Sequence, residues 1–128
     1  MVYEFKNPHP DSKKVGDCVV RAFTITQEKD YLEVRRELNR LNREWNLDGY
    51  KKRKFLKKYY KEKGYERISI NEQGMPKLRG YEVAELYPKG TYILNMRKHL
   101  AAMIDGIIYD TWNSSNEVVY NIYKYKGW

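Results

Sequence analysis

The sequence predicts an α+β fold: a single domain of residues 1–128 in which N-terminal helices pack on a C-terminal antiparallel sheet. The length of 128 residues fits one domain with one core. The composition, 41% hydrophobic and 15% aromatic, is typical of a globular chain. Helical periodicity fills the first half, whereas short runs rich in β-branched and aromatic residues fill the second.

Three helices are predicted before residue 65. The first is CVVRAFTITQ (residues 18–27), which follows a loop rich in Pro and Lys. In DYLEVRRELNRLNREW (residues 30–45) the apolar residues recur close to the 3.6-residue period, and Asp30 is suited to cap the helix. After the turn residues NLDG, the third helix lies in the basic segment, residues 51–67, and Gly64 is expected to end it.

Short strands dominate the rest of the chain. ERISI is predicted as a strand and YEVAELYP as one or two helical turns; then TYILNMR, HLAAMID, IIYDTW and EVVYNIYKYK follow as strands. Asp105–Gly106 is a strong tight-turn signal, so residues 99–111 are predicted to form a hairpin. The last strand is a candidate exposed edge that pairs with another chain, and the oligomeric state stays open.

The chain carries none of the common targeting or metal signatures. No stretch approaches the roughly 18 apolar residues of a membrane span, and the N-terminus shows no secretory signal. One cysteine excludes an internal disulfide and, with two histidines, leaves no structural zinc set. We therefore expect a soluble cytoplasmic protein with no metal, no cofactor and no membrane partner.

Cys18, His99 and Asp110 are candidates for a nucleophile, its base and an orienting acid. Cys18 opens the first predicted helix, where unpaired N–H groups favour a thiolate. His99 opens the first hairpin strand and Asp110 lies on the returning strand. Counting from the Asp105–Gly106 turn, residues 100 and 111 face each other, so His99 and Asp110 are near neighbours. Such a carboxylate would fix the imidazole tautomer and favour its protonated form.

Two short blocks, GDCVVRAF and KHLAAMIDGIIYDTW, resemble the smallest papain-like cysteine peptidases and are similar to papain-like proteins encoded by bacteriophages. The resemblance spans about residues 11–113. It implies a papain-like fold with Cys18 as nucleophile, His99 as base and Asp110 as orienting acid. The implied activity is cleavage of a peptide, isopeptide or related amide bond in a protein or peptide substrate. A phage origin would place the protein in the host cytoplasm.

The chain departs from the papain-like pattern near both blocks. Where those enzymes place an oxyanion-hole glutamine, about six residues before the cysteine, this chain has Ser12. Lys98 stands where many relatives have a glycine before the histidine. Asn113 is a second candidate for the orienting role, since amides serve there in some papain-like enzymes. Trp112 is placed to cover the histidine–acid pair.

The basic segment supports two further interpretations. Residues 51–67 contain nine Lys or Arg against two Glu, which is +7 of the net charge of +8. Its cations are suited to an anionic partner, which is nucleic acid bound through its phosphates, an acidic patch of a protein, or the substrate itself. The alternative function is therefore a catalytically inactive phage accessory or inhibitor protein that binds a host factor or nucleic acid. A phage cell-wall peptidase or amidase is a third hypothesis. The candidate anion-binding residues are Lys51, Lys52, Arg53, Lys54, Lys57 and Lys58.

Overall fold

The computed structural model describes residues 1–13, 16–71, 74 and 76–127. The description leaves out residues 14 and 15 of the loop before Cys18, three residues of the predicted loop 71–80, and residue 128 of the predicted domain. The described chain forms, in order, β1 (Tyr3–Phe5), α1 (Cys18–Gln27), α2 (Tyr31–Glu44), α3 (Arg53–Lys63), β2 (Tyr65–Ile68), α4 (Gly80–Leu86), β3 (Thr91–Met96), β4 (His99–Ile104), β5 (Ile107–Asp110) and β6 (Val119–Tyr125). The α+β class is confirmed.

The six strands form one sheet in the order β1-β5-β4-β3-β6-β2. All neighbouring strands are antiparallel except β1, which pairs parallel with β5. The sheet is therefore mixed, and the prediction of a purely antiparallel sheet was wrong in this one pair. The prediction missed β1 because three residues near the N-terminus carry too little pattern to indicate a strand.

The predicted role of the last strand as an exposed edge was also wrong. β6 lies inside the sheet, between β3 and β2, with backbone pairing on both sides. The edges of the sheet are β1 and β2 instead. Because the N–H and C=O groups of β6 are used within the chain, this strand is not free to pair with a second copy.

Two apolar clusters cover the two faces of the sheet. The larger cluster joins the first three helices to the sheet. Its fully buried residues include Phe23, Leu38, Phe55, Tyr59 and Ile93. The other packs α4 against the opposite face through Val83, Ala84, Leu94, Met103 and Ile122. The sheet thus lies between α1–α3 on one side and α4 on the other, an arrangement that supports one core per face.

The element boundaries follow the local signals in the sequence. The Asp30 carboxylate accepts hydrogen bonds from the N–H groups of Leu32 and Glu33, which confirms it as the cap of α2. Gly64 ends α3 with a φ of 81°, in the left-handed region that glycine enters without a Cβ clash. No helix in the described part of the chain combines the length and apolarity needed to cross a membrane.

Candidate active site

The fold brings the first residue of α1, the first residue of β4 and the last residue of β5 to one place. Asp105 and Gly106 both have positive φ, 49° and 77°, as a two-residue hairpin turn requires. The β4–β5 register pairs Ala102 with Tyr109. One further step along both strands puts Asp110 opposite residue 101, on the same side of the sheet as His99. The register counted from the turn is confirmed.

His99 and Asp110 form a direct hydrogen bond. The Nε2 atom of His99 lies 2.6 Å from Oδ2 of Asp110, and both side chains are largely shielded from solvent. Burial alone lowers the pKa of His99. The hydrogen bonds to Asp110 and Cys18, together with the negative charges of both groups, outweigh burial and raise that pKa to about 9. The imidazole is therefore protonated near neutral pH.

Cys18 is the third member of this chain of contacts. Because Nε2 of His99 is bonded to Asp110, Nδ1 is the ring nitrogen left for the sulfur. Burial raises the pKa of the Cys18 thiol, but the net direction is downward. The hydrogen bond with His99, the N–H of Leu100, and the positive charges of His99 and Arg21 lower the pKa below its usual value. The arrangement favours a thiolate beside an imidazolium.

Two further hydrogen-bond donors and a nearby guanidinium hold Asp110 as an anion. Its Oδ2 atom accepts the hydroxyl of Ser114 at 2.7 Å, and its Oδ1 atom accepts the N–H of Thr111 at 2.8 Å. The guanidinium of Arg21 lies 3.6 Å from Oδ1. Burial raises the pKa of Asp110, but the His99 contact, Ser114 and Thr111 lower it further than burial raises it. The carboxylate stays charged and fixed in place.

Asp17 occupies the N-cap position of α1, but its side chain makes no capping hydrogen bond. The carboxylate, only 6% exposed, instead forms an ion pair with Arg21 and accepts the hydroxyl of Tyr31 at 2.6 Å. Arg21 thus connects Asp17 to Asp110. An Asp before an apolar helical run commonly caps the helix, but here the carboxylate is bonded to Tyr31 and Arg21 and makes no hydrogen bond to the helix N–H groups.

Of the three residues suggested to support the site, one lies beside His99, and no described hydrogen bond joins the other two to the catalytic candidates. The ring of Trp112 lies 5.0 Å from the ring of His99, centroid to centroid, and covers it while remaining 44% exposed. Asn113 is exposed and its Oδ1 atom accepts the N–H and the hydroxyl of Ser115, so it does not orient His99. Ser12 is exposed, and no hydrogen bond joins its hydroxyl to Cys18 or to another described residue.

The cations of the basic segment do not form one surface. Lys51, Arg53 and Lys57 line a groove of about 720 Å³ between α3 and the sheet, whereas the other three predicted anion-binding residues, Lys52, Lys54 and Lys58, do not line it. The Lys58 ammonium lies over the ring of Trp45, 4.7 Å from its centroid. Lys51 donates to the carbonyl of Gly16 at 2.7 Å, two residues before Cys18. The basic segment thus contacts the loop that leads into α1.

Sequence reasoning missed Ser114, Arg21 and Tyr31. The spacing of Asp17 and Arg21, four residues apart on one helix, is a signal for an ion pair that could have been used. Ser114 and Tyr31 carry no such signal, because their partners are distant in sequence or set by a turn. Among the described residues, no group of three or more His, Cys, Asp or Glu side chains is placed to hold a metal ion.

Comparison of the sequence and structure with protein-family models, curated proteins and solved structures found no match.

Proposed function

We propose that the protein is a papain-like thiol hydrolase that cleaves a peptide, isopeptide or related amide bond. The observation that carries this proposal is the continuous contact from Cys18 through His99 to Asp110, with the pKa of the thiol lowered and that of the imidazole raised. Nucleophilic catalysis by cysteine requires this combination of a thiolate, an adjacent acid–base group and a group that orients it.

The reaction divides into acylation and deacylation. The Cys18 sulfur attacks the substrate carbonyl, and the imidazolium of His99 donates its Nδ1 proton to the leaving amine as the C–N bond breaks. Water then attacks the thioester and gives its proton to His99 as general base, which releases the acid and restores the thiolate–imidazolium pair. Asp110 keeps Nε2 protonated and the ring aligned throughout.

The negative oxygen of the tetrahedral intermediates needs hydrogen-bond donors. Cys18 is the first residue of α1, and the first N–H groups of a helix have no intrahelical acceptor. The backbone N–H of Cys18 is the donor that this position supplies. Ser12 adds no second donor, since its side chain is exposed and its backbone N–H is bonded to the carbonyl of His9 at 2.9 Å.

The architecture supports the papain-like part of the proposal. A cysteine that opens a helix, packed against antiparallel strands that carry a histidine and then an acid, is the arrangement that the resemblance implies. The order of the three residues along the chain is also the implied one. The bacteriophage origin, the cytoplasmic location and the cell-wall substrate remain predictions.

The rate of Cys18 alkylation by iodoacetamide as a function of pH tests the ion pair. Cys18 is the only cysteine in the chain, so mass spectrometry reports its modification without ambiguity. At pH 6 an ordinary thiol with a pKa of about 8.5 is only about 0.3% thiolate. We expect wild-type Cys18 to react roughly tenfold faster than this, even allowing for the lower nucleophilicity of a more acidic thiol. His99→Ala should lower the alkylation rate at pH 6 to that of an ordinary thiol.

The chain offers a matched control, because His9 is its other histidine. His9→Ala should leave the alkylation profile of Cys18 unchanged. An ordinary thiol profile in the wild type, with no response to His99→Ala, would refute the proposed catalytic pair. Turnover is tested separately with p-nitrophenyl acetate: hydrolysis that continues beyond one equivalent per chain requires deacylation, and it should be lost in Cys18→Ala.

A second function, ligand binding without turnover, is favoured by one observation, the cationic groove beside α3. In that case the groove binds an anionic partner and Cys18 behaves as an ordinary thiol. The alkylation profile separates the two functions, since only the hydrolase requires the thiolate.

A further inference from the structure

The groove beside α3 has a strongly one-sided charge. Five cations line it: Lys51, Arg53, Lys57, Lys61 and Arg67. None of the described residues that line it is acidic. Two of these cations, Lys61 and Arg67, were not among the predicted anion-binding residues. A concave surface lined by one sign of charge attracts ligands of the opposite sign more strongly than the same charges on a flat surface do.

The floor and one wall of the groove are held by internal contacts. Asn95 on β3 and Asn121 on β6 are directly paired, and the amide of Asn95 donates to that of Asn121 at 3.3 Å. The rings of Tyr60 and Tyr123 stack with centroids 3.8 Å apart and an interplanar angle of 15°. The floor therefore offers amide groups next to aromatic surface, a combination suited to the backbone of an extended peptide.

Three observations relate the groove to the segments around the candidate nucleophile. Lys51 donates to the carbonyl of Gly16, two residues before Cys18. Asn95 is the strand partner of Leu100, whose backbone N–H reaches Cys18. The charge of Cys18 also adds to the raised pKa of Tyr60, after burial and two neighbouring tyrosines. The groove is thus linked to the segments that hold the sulfur, while Cys18 itself is not among the residues that line it.

The spacing of the cations fits an extended acidic chain. Arg53, Lys57 and Lys61 follow one another at intervals of four residues on α3, about 6 Å apart along the helix. Side chains on one side of an extended peptide repeat every second residue, at about 6.6–6.8 Å. Acidic residues at alternate positions can therefore each face one cation of α3.

We propose that this groove binds an acidic, extended segment of the substrate polypeptide and presents its adjacent amide bond to Cys18. The cleavage step rests on the proposed hydrolase function, whereas binding in the groove does not. An acidic peptide is favoured over nucleic acid because amide side chains line the floor, where they can hydrogen-bond to a peptide backbone, and because the cations of α3 repeat at nearly the interval of alternate side chains in an extended chain.

Fluorescence anisotropy with the Cys18→Ala protein tests the binding directly. The probes are a fluorescein-labelled peptide with glutamate at every second position, the same peptide with glutamine instead, and a single-stranded oligonucleotide of the same net charge. We expect the glutamate peptide to bind at least about tenfold more tightly than the glutamine peptide, and more tightly than the oligonucleotide, at about 0.15 M salt.

Two double variants of α3 remove the same charge at the same spacing. Lys57→Gln/Lys61→Gln removes two cations that line the groove and should weaken binding of the glutamate peptide about five- to tenfold, given that exposed pairs contribute modestly. Lys54→Gln/Lys58→Gln removes two exposed cations that do not line the groove and should change binding less than about twofold. Far-ultraviolet circular dichroism verifies that both variants are folded.

Equal weakening by both double variants would overturn the proposal, because the attraction would then be a property of net charge. Tighter binding of the oligonucleotide would overturn it in favour of a nucleic-acid site. An ordinary alkylation profile of Cys18 in the wild type would refute the hydrolase alone and leave these binding results as they stand, so the two failures are distinguishable.

Discussion

Replacement of Asp110 by asparagine tests the electrostatics of the site most directly. The variant keeps the size of the side chain and one acceptor oxygen, but it removes the charge that His99 faces. The pKa of His99 is raised from 6.5 to about 9 in the folded protein. At 1.36 kcal/mol for each pH unit, this corresponds to roughly 3 kcal/mol in favour of the imidazolium, to which Asp110 and Cys18 both contribute.

Loss of one opposite charge in contact typically changes a pKa by about 1–3 pH units. We therefore expect Asp110→Asn to lower the pKa of His99 by that amount, into or below the neutral range. The assay is nuclear magnetic resonance titration of the imidazole carbon-bound protons. The chain has only two histidines, so a His9→Gln variant assigns both sets of signals.

The Cys18→Ala variant provides the control, because it removes the thiolate and leaves Asp110 in contact with His99. Measuring the pKa of His99 in the two single variants and the double variant separates the contribution of each partner. A wild-type His99 that titrates near 6.5, or an unchanged value in Asp110→Asn, would refute the reasoning.

The His99–Asp110 pair predicts how the stability of the Cys18→Ala protein changes with pH. This variant is used because no thiolate titrates in it. The folded state holds the His99 proton more tightly than the unfolded chain does. This contribution to the free energy of unfolding is complete below pH 6.5 and is lost as the pH rises from 6.5 through the folded-state pKa. Asp110→Asn in that background should flatten the dependence, as urea unfolding at several pH values would show.

Three further substitutions test the supports of the site by urea unfolding. Ser114→Ala removes a buried donor to Asp110 and should lower the free energy of unfolding by about 1–3 kcal/mol. Tyr31→Phe leaves the buried carboxylate of Asp17 without its hydroxyl donor and should cost a similar 1–3 kcal/mol. In Gly80→Ala the new Cβ would lie 2.9 Å from a backbone carbonyl in the turn after Ser114. The turn must therefore move, which should lower the free energy of unfolding by about 1–3 kcal/mol.

The first two of these substitutions have a control variant within the molecule. Ser115→Ala removes a hydroxyl whose hydrogen bond is to the exposed Asn113 and should cost less than Ser114→Ala. Tyr81→Phe changes an exposed tyrosine and should cost little compared with Tyr31→Phe. If Gly80→Ala proved neutral, the close packing of α4 against that turn would not be what positions Ser114.

The hairpin that carries His99 and Asp110 could be predicted because its information is local. Two residues with positive φ at Asp105–Gly106 fix the register of β4 and β5, and the register alone sets which side chains are neighbours. The start of α1 at Cys18 was likewise readable from the apolar run that follows it. These signals suffice to bring the base and the acid together.

The interior position of β6 and the parallel pairing of β1 with β5 could not be predicted in this way. Tyr3 pairs with Ile108, more than one hundred residues away, and no local pattern specifies such a partner. β6 has the composition of a strand, but composition does not say how many neighbours a strand has. The order of the strands depends on which apolar surfaces remain to be buried after the helices have packed on the sheet.

The sequence by itself determined the α+β class, the helix and strand periodicities, the tight hairpin and the order of Cys18, His99 and Asp110, since each depends on residues close together in the chain. Only the tertiary structure decided that Ser114 and Arg21 hold Asp110, that Asp17 bonds to Tyr31 rather than capping α1, and which cations share a groove. The physical reason is that a polar side chain bonds to whichever group folding brings within about 3 Å, and that group is usually distant in sequence.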